Sequence, residues 1–184
     1  VVDRDPIQIL GMNHLGAGGG PGLLMVSLMR PSSASGTIRL RSEDPFEHPI
    51  VDFDLLSDPR DLDVLRAGVR DALEILRSPT FGDLVREVYI DDAGTTAAAL
   101  HDDRSIDAWL SARGADYVHA SGSCGMGRVV DERGAVPSVA GLYVCDASVF
   151  PTIPNVNTHL PTTMLAERLV ALWTGDEVRS DLAG

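Results

Sequence analysis

Eleven consecutive residues carry the densest chemistry in the chain: Tyr117-Val118-His119-Ala120-Ser121-Gly122-Ser123-Cys124-Gly125-Met126-Gly127. They set one imidazole and one thiol among hydroxyls and small residues, and small residues let backbone approach another group closely. Two later stretches add candidates. Leu142-Tyr143-Val144-Cys145-Asp146 is an apolar run that ends in an acid, and the proline-rich segment from Pro151 to Pro161 holds Asn157, Thr158 and His159. His119, Cys124, Cys145 and His159 are metal-ligating types, but no C-x-x-C or H-E-x-x-H pair anchors a zinc site, so no metal is expected. Cys124 lies five residues after His119 and could pair with it as nucleophile and base, without the strand–turn–helix context that usually presents such a thiol. Gly122-Ser123-Cys124-Gly125 is not the G-x-S-x-G elbow, because Ser123 is followed directly by Cys124 and Gly125. Each candidate also has a plain structural reading: His119 as a satisfied structural histidine, Asn157 as a turn former, Asp146 as a helix N-cap.

The elements that must position these groups follow from periodicity. Ile7, Ile9 and Leu10 suggest a first strand, and Gly16 to Gly22 is too glycine-rich for an element interior. That stretch is not a dinucleotide fingerprint, since a strand-like run, Leu23 to Met29, follows it instead of a helix. Arg30 to Gly36 reads as a turn, and Thr37 to Ser42 alternates like a half-buried strand, so Leu23–Met29 and Thr37–Ser42 are expected to pair antiparallel. Ile50 to Phe53 is a further short strand. A long helix is expected to start at a Ser57 or Asp58 cap with Pro59 in its first turn, to carry Leu62, Leu65, Val69, Ala72, Leu73 and Leu76 on one face, and to stop before Pro79. Further helices are expected over Phe81–Val88, over Ser105–Ala112 with Gly114 ending it, and over Thr162–Trp173. Leu142–Asp146 is expected to be a buried strand, and Pro151–Pro161 a rigid polar loop. Pattern alone yields a mixed α/β domain with a candidate His/Asn site.

Composition bounds the partners. With 184 residues and 44% hydrophobic content, the chain is long enough for a real core and too apolar for low-complexity disorder. The net charge is −12, and every basic residue is Arg, which argues against nucleic acid or an anionic membrane as partner. The longest apolar runs are too short to span a bilayer. Two cysteines make no disulfide framework and point to buried thiols in a reducing, cytoplasmic setting. No signal-peptide pattern is visible, and an opening Val1 instead of Met leads to the expectation of processing or truncation.

Taken in order, the motifs resemble the C-terminal part of the glucose–methanol–choline (GMC) oxidoreductase family, over about residues 25 to 175. Leu28-Met29-Arg30-Pro31 and the stretch from Gly36 to Pro45 are similar to the family segment that ends in Asp-Pro, and Leu55 to Asp61 leads into a long helix. His119 to Gly127 resembles the family's H-P-x-G-T-C-x-M-G run. Gly141 to Pro151 and Asn157-Thr158 resemble its closing signature.

The resemblance implies an α+β fold: an antiparallel sheet backed by helices, the family's substrate domain, plus a C-terminal strand and helix that complete a Rossmann-like FAD domain. Residues 1–140 would be the substrate-domain portion and 141–184 the return into the FAD domain. The N-terminal FAD fingerprint is absent from this sequence, so the implied partner is an N-terminal FAD-binding part, in the same protein or as a separate chain. The implied chemistry is oxidation of an alcohol CH–OH to a carbonyl by hydride transfer to FAD, with His119 as general base. An imidazole, which ordinarily titrates near neutrality, suits that proton step. Asn157 falls on the second catalytic position, where an amide can orient the substrate oxygen without adding charge. Asp146, Ala147, Asn157 and Thr158 fall where the family contacts FAD. Three residues depart from the pattern: Gly125 where many members carry Arg, Ala120 where they carry Pro, and His159 where Asn is common. The alternatives the resemblance leaves open are a cyanohydrin (hydroxynitrile) lyase on the same scaffold and a non-catalytic complementing fragment.

Overall fold

In the computed structural model, which describes residues 6–12, 22–33 and 36–175, the first apolar run forms β1 (Ile7–Met12). It pairs antiparallel with β2 (Leu23–Leu28), Ile7 opposite Leu28 and Met12 opposite Leu23. The glycine-rich stretch between them, apart from Gly22, lies outside the described residues. β2 does not pair with the Thr37–Ser42 stretch, contrary to expectation. Instead β3 (Thr37–Arg39) pairs antiparallel with β4 (Ile50–Asp52). A buried carboxylate takes hold of the chain just after β2. Asp61 Oδ1 accepts the Ser32 N–H at 2.7 Å and draws the chain leaving β2 onto the start of the first helix instead of back along the strand.

That helix, α1 (Pro59–Arg77), is capped by Asp58, whose side chain accepts the Arg60 N–H, and Pro59 fills its first position. Ser57 does not serve as the cap. Two compact units divide the chain: Val1–Ser35 with Asp54–Ala115, and Gly36–Phe53 with Asp116–Gly184. In the first, α1 lies against the β1–β2 hairpin and against α3 (Asp103–Arg113). Gly68 is what lets the helix approach the hairpin, since a Cβ there would stand 2.9 Å from Val26 Cγ1 and 3.1 Å from Ile7 Cγ2. On the α3 side, Arg66 donates to both carboxylate oxygens of Asp107, at 2.7 and 2.9 Å. The core between the helices holds Val69, Leu73, Ala97, Leu100, Ile106 and Leu110. α3 extends one or two residues beyond expectation at each end, because Asp102 and Ser105 form a reciprocal capping box.

The helix expected over Phe81–Val88 is cut to one turn, α2 (Pro79–Gly82). Gly82 and Asp83 are weak helix formers, and the chain beyond them has better partners elsewhere. Val88 O accepts the Ala97 N–H at 2.8 Å, Ile90 N–H donates to Thr95 O at 2.9 Å, and Trp109 Nε1 donates to Ile90 O at 3.1 Å.

The second unit contains β3–β4, a loop-rich stretch and α4 (His159–Thr174), around a core of Val130, Val149 and Leu169. Cys124 and Cys145 are free, half-buried and packed on that core, short of the full burial expected. The buried strand expected over Leu142–Asp146 is not formed. Tyr143 makes a single bridge with Ala135, and Leu142 and Tyr143 are 47% and 49% exposed. Val136 N–H donates to Leu142 O and Val144 N–H to Gly134 O, so the stretch closes a tight local hairpin instead of joining a ladder. α4 starts three residues earlier than expected and takes Pro161 into its first turn, where a missing N–H costs nothing. The described residues are therefore α+β: helices with two small antiparallel sheets. Among them no helix is long and apolar enough to cross a membrane.

Candidate functional site

The run from His119 to Gly127 is held by backbone. Gly122 N–H donates to Ala147 O at 3.1 Å, Cys124 N–H to Ser148 O at 2.8 Å, and Met126 N–H to Val149 O at 3.0 Å. These bonds fasten it to the 3₁₀ turn Ala147–Val149, which Asp146 caps by accepting the Ser148 N–H at 2.8 Å. Gly122 takes φ +80°, a conformation open to glycine at little cost. The absence of a side chain at Gly125 also has a structural reason. A Cβ there would stand 2.7 Å from Arg128 Nη2, which donates to Gly122 O at 3.1 Å. The Arg128 guanidinium thus fills the space next to the position where the resemblance leads one to look for Arg.

His119 leaves this run at its strained end. Val118, immediately before it, adopts φ +44°, a conformation that costs a β-branched residue on the order of 1–3 kcal/mol and that concentrates at functional sites. The His119 ring stands edge-on to Tyr117, with centroids 5.7 Å apart and planes at 77°. Its Nδ1 lies 3.3 Å from Thr158 Oγ1. Its Nε2 is buried and has no hydrogen-bond partner. A buried polar atom left in that state costs roughly 1–3 kcal/mol, so its persistence calls for a reason.

Of the residues singled out from sequence, the structure brings His119 and Thr158 together. Asn157 is exposed and directly precedes Thr158, and His159 is exposed as the first residue of α4. Asp146 is exposed at the head of its turn, and the Ala147 carbonyl is engaged by Gly122. Cys124 packs on the Val130–Val149–Leu169 core. Among the described residues no three His, Cys, Asp or Glu side chains are grouped to hold a metal ion. Sequence reasoning missed the hydroxyl-to-imidazole contact and the role of Arg128. The first was not legible, because the sequence pattern starts the last helix at Thr162, whereas Thr158 is the N-cap of a helix that begins at His159.

Comparison with known proteins shows the family. The family model for GMC oxidoreductase matches residues 31–166. The chain is 36% identical over 170 residues to 5-(hydroxymethyl)furfural oxidase of Methylovorus sp. (strain MP688), covering 85% of this chain and 32% of that protein. It is 35% identical over 142 residues to oxygen-dependent choline dehydrogenase of Burkholderia lata, covering 75% of this chain and 24% of that protein. Among solved structures, an FAD-dependent oxidoreductase from Chaetomium thermophilum matches with a TM-score of 0.74 at 26% identity, over 85% of this chain and 27% of that one. The chain therefore spans a third or less of the length of these relatives.

Proposed function

The chain belongs to the GMC oxidoreductase family, matching its C-terminal part, and on that premise we propose that it supplies the proton-transfer groups of a flavin-dependent enzyme oxidising an alcohol CH–OH to a carbonyl. The observation that carries this reading is the buried, unpartnered Nε2 of His119. When bound, FAD supplies the acceptor for the two electrons that leave the substrate carbon. The residues that would hold it are Asp146 and Ala147, at the 3₁₀ turn that fastens the His119–Gly127 run, and Asn157 and Thr158, which lead into α4. The buried Nε2 of His119, which has no hydrogen-bond partner within the described residues, is an acceptor left open for the hydroxyl of such a substrate.

His119 Nε2 takes the hydroxyl proton: the substrate O–H bond breaks as an N–H bond forms, and the substrate oxygen is free to become a carbonyl. The ring is held between the Tyr117 ring and the Thr158 hydroxyl, and it follows the strained backbone of Val118. The Asn157 amide orients the substrate oxygen by hydrogen bonding and adds no charge. In this reading residues 1–140 belong to the substrate domain, while 141–184 return to a Rossmann-like FAD domain whose remaining strands come from the N-terminal part of the protein. Relatives named as acting on hydroxymethylfurfural and on choline support an alcohol as the substrate class.

The test is anaerobic stopped-flow reduction of the flavin by alcohol in the full-length, FAD-loaded protein. His119→Ala is expected to slow reduction by about 10² to 10⁴, the usual worth of a positioned base. Reduction at the wild-type rate would remove His119 from this role.

A further inference from the structure

Thr158 stands at the N-cap of α4, where a threonine hydroxyl ordinarily accepts the N–H of the second or third helical residue. It does not do so here. Its side chain makes no capping bond, its backbone is helical at φ −76° and ψ −12°, and the third helical residue is Pro161, which has no N–H. The helix takes its first bond through the Thr158 carbonyl, which accepts the Thr162 N–H at 2.9 Å. The hydroxyl is thereby released from the helix, and it lies 3.3 Å from His119 Nδ1. On the other side of the same ring, Nε2 is buried and unpartnered.

We propose that Thr158 is a positioning residue for His119: its hydroxyl accepts the Nδ1–H, which fixes the imidazole tautomer so that the Nε2 lone pair faces the reacting oxygen. This rests on the reading of His119 as the base. A neutral imidazole carries one proton, and which nitrogen holds it is decided by the hydrogen bond the other makes. With Nδ1–H satisfied by Thr158, Nε2 is the acceptor and needs no rearrangement before it takes a proton. Without that bond the ring samples the opposite tautomer, in which Nε2–H points at the substrate and cannot accept. The contact to FAD assigned to Thr158 then belongs to its backbone, and the side chain serves the histidine.

The experiment compares Thr158→Val, Thr158→Ser and His119→Ala in the full-length, FAD-loaded protein, with three readouts: flavin reduction rate, FAD content with melting temperature, and the ¹⁵N shifts of the imidazole nitrogens after histidine labelling. Valine keeps the shape and removes the hydroxyl, and serine restores it. Thr158→Val is expected to slow reduction about ten-fold, the scale of a modest loss of alignment. It should also move the His119 nitrogens away from the Nδ1–H pattern and leave FAD content and melting unchanged. Thr158→Ser should recover both the rate and the shifts. Unchanged nitrogen shifts in Thr158→Val would overturn the proposal, as would lost FAD or lowered melting that serine does not repair. His119→Ala reports separately on the base: a wild-type rate there removes the underlying reading, while a slow His119→Ala beside a wild-type Thr158→Val removes the positioning role alone.

Discussion

Asp61, on the first turn of α1, accepts the backbone N–H of Ser32 through Oδ1 at 2.7 Å, and with 4% exposure it is the one buried charged residue among the described residues. This bond ties the chain that leaves β2 to the first turn of α1 within the same unit. Hydrogen bonds to charged groups contribute about 1.5–3 kcal/mol, and a buried donor left unpaired adds to the loss. Asp61→Ala is therefore expected to destabilise the unit by about 2–3 kcal/mol. Asp61→Asn keeps an acceptor at the same place and should lose about half as much. Urea unfolding followed by tryptophan fluorescence reads both, and equal losses would show that the contact to Ser32 is not what Asp61 provides.

Asp58 gives the same helix a dependence on pH. The Arg60 side chain and then its backbone N–H hold the Asp58 carboxyl down at about 2 from an ordinary 3.8. A carboxyl with a lower pKa in the folded than in the unfolded state contributes stability above the unfolded value, and loses it as pH falls through the folded one. The contribution is thus complete above about pH 4–5 and fades between pH 4 and 2. Asp91 and Asp102 are lowered too, by the Thr95 and Ser105 backbone N–H groups, so the wild-type slope alone identifies no single residue. The difference between wild type and Asp58→Asn does. Melting temperature measured from neutral pH down to pH 2 should fall more steeply in the wild type, and parallel curves would remove Asp58 as a source.

Where sequence reasoning succeeded, local rules and tertiary structure agreed. In α1 a cap, a proline at the first position and an apolar face all point the same way, and the Ser57/Asp58 ambiguity was settled by which side chain reaches the Arg60 N–H. Where it failed, a distant partner outbid a local pattern. The alternation of Thr37 to Ser42 says that a strand forms but not with whom, and nothing local shows that Asp61 will take the Ser32 N–H. Leu142 to Val144 has the composition of a buried strand, yet a turn five residues long brings Gly134 and Val136 to it first. At the site, the motif alone singled out His119, whereas its unpartnered Nε2 and its contact with Thr158, 39 positions away, are tertiary features that no local pattern shows.

That local hairpin has a weak point at Gly134, which takes φ +72° and leaves no room for a side chain. A Cβ there would stand 2.6 Å from Val144 O and 3.4 Å from Leu169 Cδ1. The left-handed conformation costs an alanine roughly 1–2 kcal/mol, and forced overpacking typically 1–3 more. Gly134→Ala is expected to lower the stability of the second unit by about 2–4 kcal/mol. Neighbouring Arg133 accepts the Trp173 Nε1–H through its carbonyl at 2.7 Å, so the Trp173 emission should shift in the variant before unfolding begins. A variant that melts like the wild type would mean the hairpin has room to relax.

In the proposed reaction, one residue beside Thr158 orients the substrate oxygen. Asn157 and His159 flank it and both are exposed, but only Asn157 combines the amide with the position that the resemblance assigns to the second catalytic group. His159 begins α4, and its carbonyl accepts the Thr163 hydroxyl inside the helix. An amide that orients the substrate oxygen acts on the rate through alignment, which is worth up to about 10² when lost. Asn157→Ala in the full-length, FAD-loaded protein is therefore expected to slow anaerobic flavin reduction by about 10 to 10² at saturating alcohol, whereas His159→Ala should change it only a few-fold. Cys124→Ala should also leave the rate within a few-fold, since its thiol packs on the Val130–Val149–Leu169 core, and its effect should appear in stability instead. If His159→Ala proves the more damaging of the two flanking variants, the second catalytic role belongs to the imidazole and the register of the proline-rich segment must be moved by two residues.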